Sequence, residues 1–205
     1  MTDFTLPPFV VPFGGWWIDV DLDGDIRAWA QRSAEEVLAR WGVRNGRRAR
    51  KLAAMLEAAG VVARKNQQGA NMALLLYPAL GEGIRAGVMF RPVDMSGHDE
   101  ATGWEALISG LVPPERWAEV NPEETDIETP AGTCRRIRFL EAQRDPGNRV
   151  VEHLLYLWVF PGYGSGVVMS TAFQSLAEAG RWRSAVDELA KSATLDETAG
   201  TPGRG

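Results

Sequence analysis

The sequence predicts an α+β fold: an antiparallel sheet meander flanked by two N-terminal helices and one C-terminal helix. Three observations carry that expectation. Val150–Phe160 alternates as a strand yet is mainly apolar on both sides, with Val151, His153, Leu155, Leu157 and Val159 on one and Glu152, Leu154, Tyr156, Trp158 and Phe160 on the other. A strand of that kind is covered on both faces and belongs near the middle of its sheet. Short turns, Asp145-Pro146-Gly147-Asn148 before it and Pro161–Gly166 after it, join it to its neighbours, and strands so joined run antiparallel. Helical periodicity dominates the two ends of the chain, as in a sheet with helices packed on it.

The elements follow in order. Residues 1–15, with Pro7, Pro8 and Pro12, read as an extended arm that packs Phe4, Phe9 and Phe13 on the body. Trp16–Leu22 alternates, Ile18, Val20 and Leu22 against Trp17, Asp19 and Asp21, and predicts a half-exposed strand. Asp23-Gly24-Asp25 offers an N-cap for a helix from Ile26 to about Arg40, closed by Gly42. Asn45 caps a second helix over Gly46–Lys65, with the stripe Leu52, Met55, Leu56, Ala59 and Val62. Gly60 inside it either admits a close neighbour or ends the helix early.

Asn71–Pro78 and Ile84–Pro92 predict a hairpin about the loop 79–83. Glu100–Leu111 predicts a helix broken by Pro113-Pro114, and Trp117–Val120 a brief strand. Glu123–Thr129 is an acidic run, and Pro130-Ala131-Gly132 turns the chain into a strand over Thr133–Ala142, Ile137 and Phe139 inward, Arg136 and Arg138 outward. After Val150–Phe160 come a returning strand, Val167–Phe173, and a helix over Leu176–Lys191. Residues 16–195 form a single domain on this reading, and the Gly-, Thr- and Pro-rich residues 196–205 a disordered tail.

Composition excludes little but is informative. With 205 residues, 45% apolar and 24% charged, the chain can bury a core without disulfides or metal. A net charge of −5 argues against broad nucleic-acid binding. No segment approaches the stretch of about 20 apolar residues that spans a bilayer. Asp3 stands where a signal peptide carries basic charge, and the single Cys134 forms no internal disulfide, so a cytoplasmic location is expected.

Several segments invite a chemical reading. Asp19-Val20-Asp21-Leu22-Asp23-Gly24-Asp25-Ile26 follows the first part of an EF-hand-type calcium loop, but Ala30 stands where the closing bidentate Glu belongs. A strand edge followed by a helix cap explains the same residues. Arg44, Arg47, Arg48, Arg50 and Lys51 cluster at the start of the second helix, the end where the macrodipole disfavours cations. They either meet the acidic run Glu119, Glu123, Glu124, Asp126 and Glu128, stand solvated, or form a docking patch for an anionic partner.

His98-Asp99-Glu100 offers metal ligands without a repeated ligand spacing, and His153 reads as a partly buried histidine inside a strand. Pro161–Gly166 matches neither a phosphate-binding loop nor a nucleophile elbow. Cys134 precedes Arg135 and Arg136, which could lower its thiol pKa only if they pointed at it, and adjacent side chains on a strand point to opposite faces. Of eight tryptophans, Trp29, Trp41, Trp158 and Trp182 fall on core-facing positions. Trp16, Trp17, Trp104 and Trp117 do not, and exposed ones would mark a partner surface.

Trp17-Ile18-Asp19-Val20-Asp21-Leu22 with its Trp/Ala helix, Tyr156-Leu157-Trp158-Val159-Phe160-Pro161-Gly162, and Trp182-Arg183-Ser184-Ala185-Val186-Asp187-Glu188-Leu189-Ala190 together resemble a group of uncharacterised actinobacterial proteins of Streptomyces type. The last meander and helix are similar to the PsbP-like fold of the mycobacterial LpqN type, an α/β/α sandwich. That resemblance implies no catalytic or cofactor-binding residues, and suggests a role beside type VII secretion. The expected function is a non-enzymatic, protein-binding accessory or chaperone-like factor. The alternatives are a small-ligand binder with a pocket between sheet and helices lined by Trp, Met and Tyr, and a metal-dependent enzyme using His98, Asp99 and Glu100.

Overall fold

The structure, a computed structural model, describes residues 7–13, 16–65, 71–76, 83–111, 121–142 and 150–196. In chain order the elements are β1 (Phe9–Val10), β2 (Trp17–Val20), α1 (Ile26–Arg40), α2 (Gly46–Lys65), β3 (Asn71–Leu76), β4 (Ile84–Asp94), α3 (Glu100–Leu111), β5 (Glu123–Thr129), β6 (Gly132–Ala142), β7 (Val150–Phe160), β8 (Ser165–Phe173), α4 (Leu176–Lys191) and β9 (Thr194–Leu195). The fold class is α+β with antiparallel strands, as the sequence predicts. The chain forms two compact units, Phe13–Met89 and Met1–Pro12 with Phe90–Gly205.

In the first unit β2 pairs antiparallel with β3, Trp17 opposite Leu75 and Val20 opposite Met72, and β3 lies beside β4. The Asp25 carboxylate accepts the Arg27 and Ala28 amides and starts α1. Gly42, at φ +69°, lets the chain leave it in the left-handed conformation. Asn45 does for α2 what Asp25 does for α1, accepting the Arg47 and Arg48 amides at 3.0 and 3.2 Å.

The two helices pack around Val20, Leu22, Ile26, Trp29, Leu38, Leu52 and Leu56. The buried row of α2 is Leu52, Leu56, Gly60 and Ala63. Val62, expected in that stripe, is 58% exposed, because steps of four, four and three residues track the helix face and leave position 62 turned away. Gly60 does not end the helix; it sits where a Cβ would lie 2.9 Å from Ile26 and 3.2 Å from the Trp29 ring. Close approach of α1 is the reason for that glycine.

In the second unit the strand order is β4–β8–β7–β6–β5, and successive pairs from β5 to β8 are antiparallel. Strand β7 is central, as its doubly apolar pattern predicts. Trp104 and Leu107 of α3 cover Leu155 and Leu157 together with Ile137, Phe139 and Val168. On the other side Tyr156, Trp158 and Phe160 are buried, α4 contributing Asp187 to Tyr156 and β1 laying Phe9 against Trp158 and Phe160 at ring distances of 5.2 and 5.8 Å. The turn between β7 and β8 is a 3-10 turn, Pro161–Tyr163, ended by Gly164 in the left-handed region.

The strand β5 is not foreseen in the sequence, where EETDIET shows no apolar alternation. Phe9–Val10 pairs with Thr194–Leu195, and the Asp196 amide donates to the Pro8 carbonyl at 2.7 Å, so the arm and the start of the tail hold each other. Phe4, the strand expected at 117–120, most of the loop 79–83 and residues 197–205 lie outside the described residues.

Overpacking at Gly60 is expected to be costly where space elsewhere is not. Gly60→Val should lose about 1–3 kcal/mol in urea unfolding. Gly180→Ala, inside α4 where an added Cβ meets nothing, should gain about 0.5–1 kcal/mol.

Candidate functional site

The five cationic side chains singled out by sequence, Arg44, Arg47, Arg48, Arg50 and Lys51, are all exposed at the N-terminal end of α2. No acidic residue occupies the first turn. Cations there oppose the helix dipole at about 0.3–1 kcal/mol each, so the cluster does not serve the helix that carries it. The opposite end is built the favourable way. Arg64 and Lys65 occupy the last turn, and the Arg64 guanidinium donates to the Leu22 carbonyl at 2.9 Å and to the Gly24 carbonyl.

Arg50 also lines a groove of about 390 Å³ between α1 and α2, together with Ala49, Ala53, Ala54, Arg27, Glu35 and Glu57. Charge is divided unevenly along the sequence. Phe13–Met89 holds eleven Arg and Lys against eight Asp and Glu, and the rest of the chain eleven against nineteen, so the net −5 divides as +3 and −8.

The acidic run finds its partners on β6. Register sets Glu123 opposite Arg138, Thr125 opposite Arg136 and Asp126 opposite Arg135. Arg138 reaches Glu123 at 2.8 Å, Arg135 reaches Asp126 at 3.0 Å and Glu124 at 3.9 Å, and Thr133 donates to Glu128 at 3.2 Å. Glu119 lies outside the described residues.

Arg136 and Arg138 do not face solvent as their alternation suggested, because α4 covers that side. Arg136 binds Asp187 at 3.1 Å, and Asp187 also accepts the Tyr156 hydroxyl at 2.6 Å. Glu152, 1% exposed, is gripped by Arg138 at 2.8 Å and Arg183 at 2.7 Å. This buried network was not recognised in the sequence. Its signal was a carboxylate on an otherwise apolar face of β7, beside a strand with arginines on alternate positions.

Several other sequence candidates make local structural contacts. Asp21 accepts the Gly24 amide at 2.7 Å, Asp25 caps α1, and the Asp19 carbonyl accepts the Trp29 indole N–H at 2.9 Å. The loop therefore acts as strand edge and helix cap. Asp99 caps α3 through a reciprocal pair with Thr102, and those bonds hold its carboxyl below the usual range. His153 stacks on Phe139 at 4.8 Å and meets Glu141 at 3.0 Å. Among the described residues no three of His, Cys, Asp and Glu gather to hold a metal ion.

Cys134 is fully buried, and burial pushes its thiol well above the ordinary value. The tryptophan surplus is spent largely inside. Trp17 and Trp104, unplaced by periodicity, are buried, and Trp16 is 39% exposed against Trp41; Trp117 lies outside the described residues.

A second cleft, of about 370 Å³, lies between β2 and α1. Trp17, Ile18 and Asp19 line one wall and Trp29, Arg32 and Glu36 the other. No Met or Tyr is among its lining residues. Scans of protein-family models and of curated proteins return no match to this chain. No helix among the described residues is long and apolar enough to cross a membrane.

Three outcomes are expected. Glu152→Ala removes the buried carboxylate shared by Arg138, which keeps Glu123, and Arg183, and should cost about 1–3 kcal/mol in denaturant unfolding. The Arg138 hydrogen bond lowers the Glu123 carboxyl below its ordinary 4.5, so its contribution is complete above that pH and is lost as pH falls through the lower folded value. Glu123→Gln should therefore flatten the acid limb of the stability curve below pH 4.5. Cys134 should resist a thiol reagent in the native protein and react only on unfolding.

Proposed function

We propose that the chain is a non-enzymatic accessory or chaperone-like protein that docks an anionic protein partner on the end of α2. The observation that carries this reading is the exposure of Arg44, Arg47, Arg48, Arg50 and Lys51 where their own helix disfavours them. A group kept at an electrostatic cost to its own helix has a use outside that helix.

Three further points support the reading. Glu123 and Asp126 of the acidic run are engaged by Arg138 and Arg135 of β6. A protein partner with a local acidic surface fits better than a nucleic acid, since residues outside Phe13–Met89 carry net −8 and would repel an extended polyanion. Asp25 and Asp99 serve as helix caps, His153 meets Glu141, and Cys134 is buried. The likeness to the LpqN type makes type VII secretion the setting to examine first, with the cytoplasm as the location.

Tagged protein recovered from its native cells should retain a reproducible partner. Arg47→Glu combined with Arg48→Glu should reduce that recovery about tenfold while the circular dichroism spectrum holds and the melting temperature does not fall. Equal recovery by the variant contradicts the patch.

A further inference from the structure

We infer that the chain pairs with a second copy of itself across the groove between α1 and α2, the two copies related by a two-fold axis that crosses the groove near Gln31 and Ala54. The inference goes beyond the partner patch and does not depend on it. Arg50 alone is common to both surfaces.

The groove, of about 390 Å³, has two helical walls. Arg27, Gln31 and Glu35 follow at four-residue steps on α1, and Arg50, Ala54 and Glu57 share one face of α2. Each wall carries a cation at one end, a carboxylate at the other and an uncharged residue between them. Such a wall is its own complement when reversed. A second copy turned end for end sets Arg27 against Glu35 of that copy and Arg50 against Glu57 of that copy, and the two-fold axis makes each pair twice. Gln31 meets Gln31, and an amide, donor and acceptor at once, can pair with its own kind. Within one copy, none of Arg27, Glu35, Arg50 and Glu57 makes an ion pair with another described residue.

The surface between the charges suits close contact. Ala49, Ala53 and Ala54 keep the α2 wall low, which lets a second helix approach to about 8 Å between axes. Val61, at the next turn of the same α2 face, is 42% exposed and gains cover in the pair. Copies turned the same way would bring their clusters of Arg44, Arg47, Arg48 and Lys51 together, like charge on like. Turned end for end, the two clusters lie apart. Helices of 15 and 20 residues side by side, each about 10 Å across, present a face of roughly 500 Å², about 1,000 Å² for the pair. That area is the lower limit of a specific interface, so micromolar association is expected.

The test is sedimentation equilibrium of the full chain from about 5 to about 500 µM, with a dimer Kd of about 1–100 µM expected. Arg50→Glu alone or Glu57→Arg alone creates two like-charge pairs and should raise that Kd about tenfold or more. An equal mixture of the two single variants should associate about as tightly as the unaltered chain, because the introduced charges then oppose each other. That recovery separates a lost contact from a lost fold, and it occurs only if Arg50 faces Glu57 across the axis. Arg47→Glu combined with Arg48→Glu should leave the association undiminished. A monomer throughout the range, an unchanged Kd in either single variant, a mixture no tighter than the variants alone, or loss of the dimer in Arg47→Glu with Arg48→Glu overturns the inference.

Discussion

Arg136 and Arg138 tie together four elements, β5, β6, β7 and α4. Two residues apart on β6, they project to one face, where α4 brings Asp187, β7 brings Glu152, and β5 brings Thr125 and Glu123. Removing a charge from water is costly unless geometry and partners compensate it, and here each guanidinium has more than one acceptor. The face of β7 that looked merely apolar is thus split: Tyr156, Trp158 and Phe160 fill a core, while Glu152 anchors the polar contact with α4. Such a network specifies register, because a one-residue slip of β5 or β6 would turn the carboxylates from the arginines.

The helical pair of the first unit follows the opposite logic. Its interior is apolar and closely fitted, with Gly60 admitting Ile26 and Trp29, and its ends are fastened by side-chain bonds to backbone. Arg64 joins the C-terminal end of α2 to the loop after β2, a favourable use of a cation at that end. The N-terminal cluster is the exception, and a departure from local electrostatic preference is where a functional reading is best placed.

Much of this was legible in the sequence where the cause is local. Asp25, Asn45 and Gly42 announced the ends of α1 and α2, and the alternation of Val150–Phe160 gave β7 and its burial. Strand β5 was hard to read because the alternate β-branched Thr125, Ile127 and Thr129 sit among acidic residues, whose partners are the arginines of β6 opposite them. The short pairing of Phe9–Val10 with Thr194–Leu195 joins opposite ends of the chain and has no local cue. Within the site, the cluster on α2 was visible as charge alone. The cleft was not, because its walls are assembled from residues about ten apart that only the packing of α1 beside β2 brings together.

The claim that a partner is held at the start of α2 is tested most directly by photo-crosslinking from Gly46. An added side chain there meets no neighbouring atom, so a benzoylphenylalanine is tolerated. Gly180 on α4 is equally open and serves as the reference position. In native cells the account predicts one dominant crosslinked protein from position 46, lost at high salt, and none in common with position 180. Crosslinking of the same proteins from both positions, or of none from position 46, would contradict it.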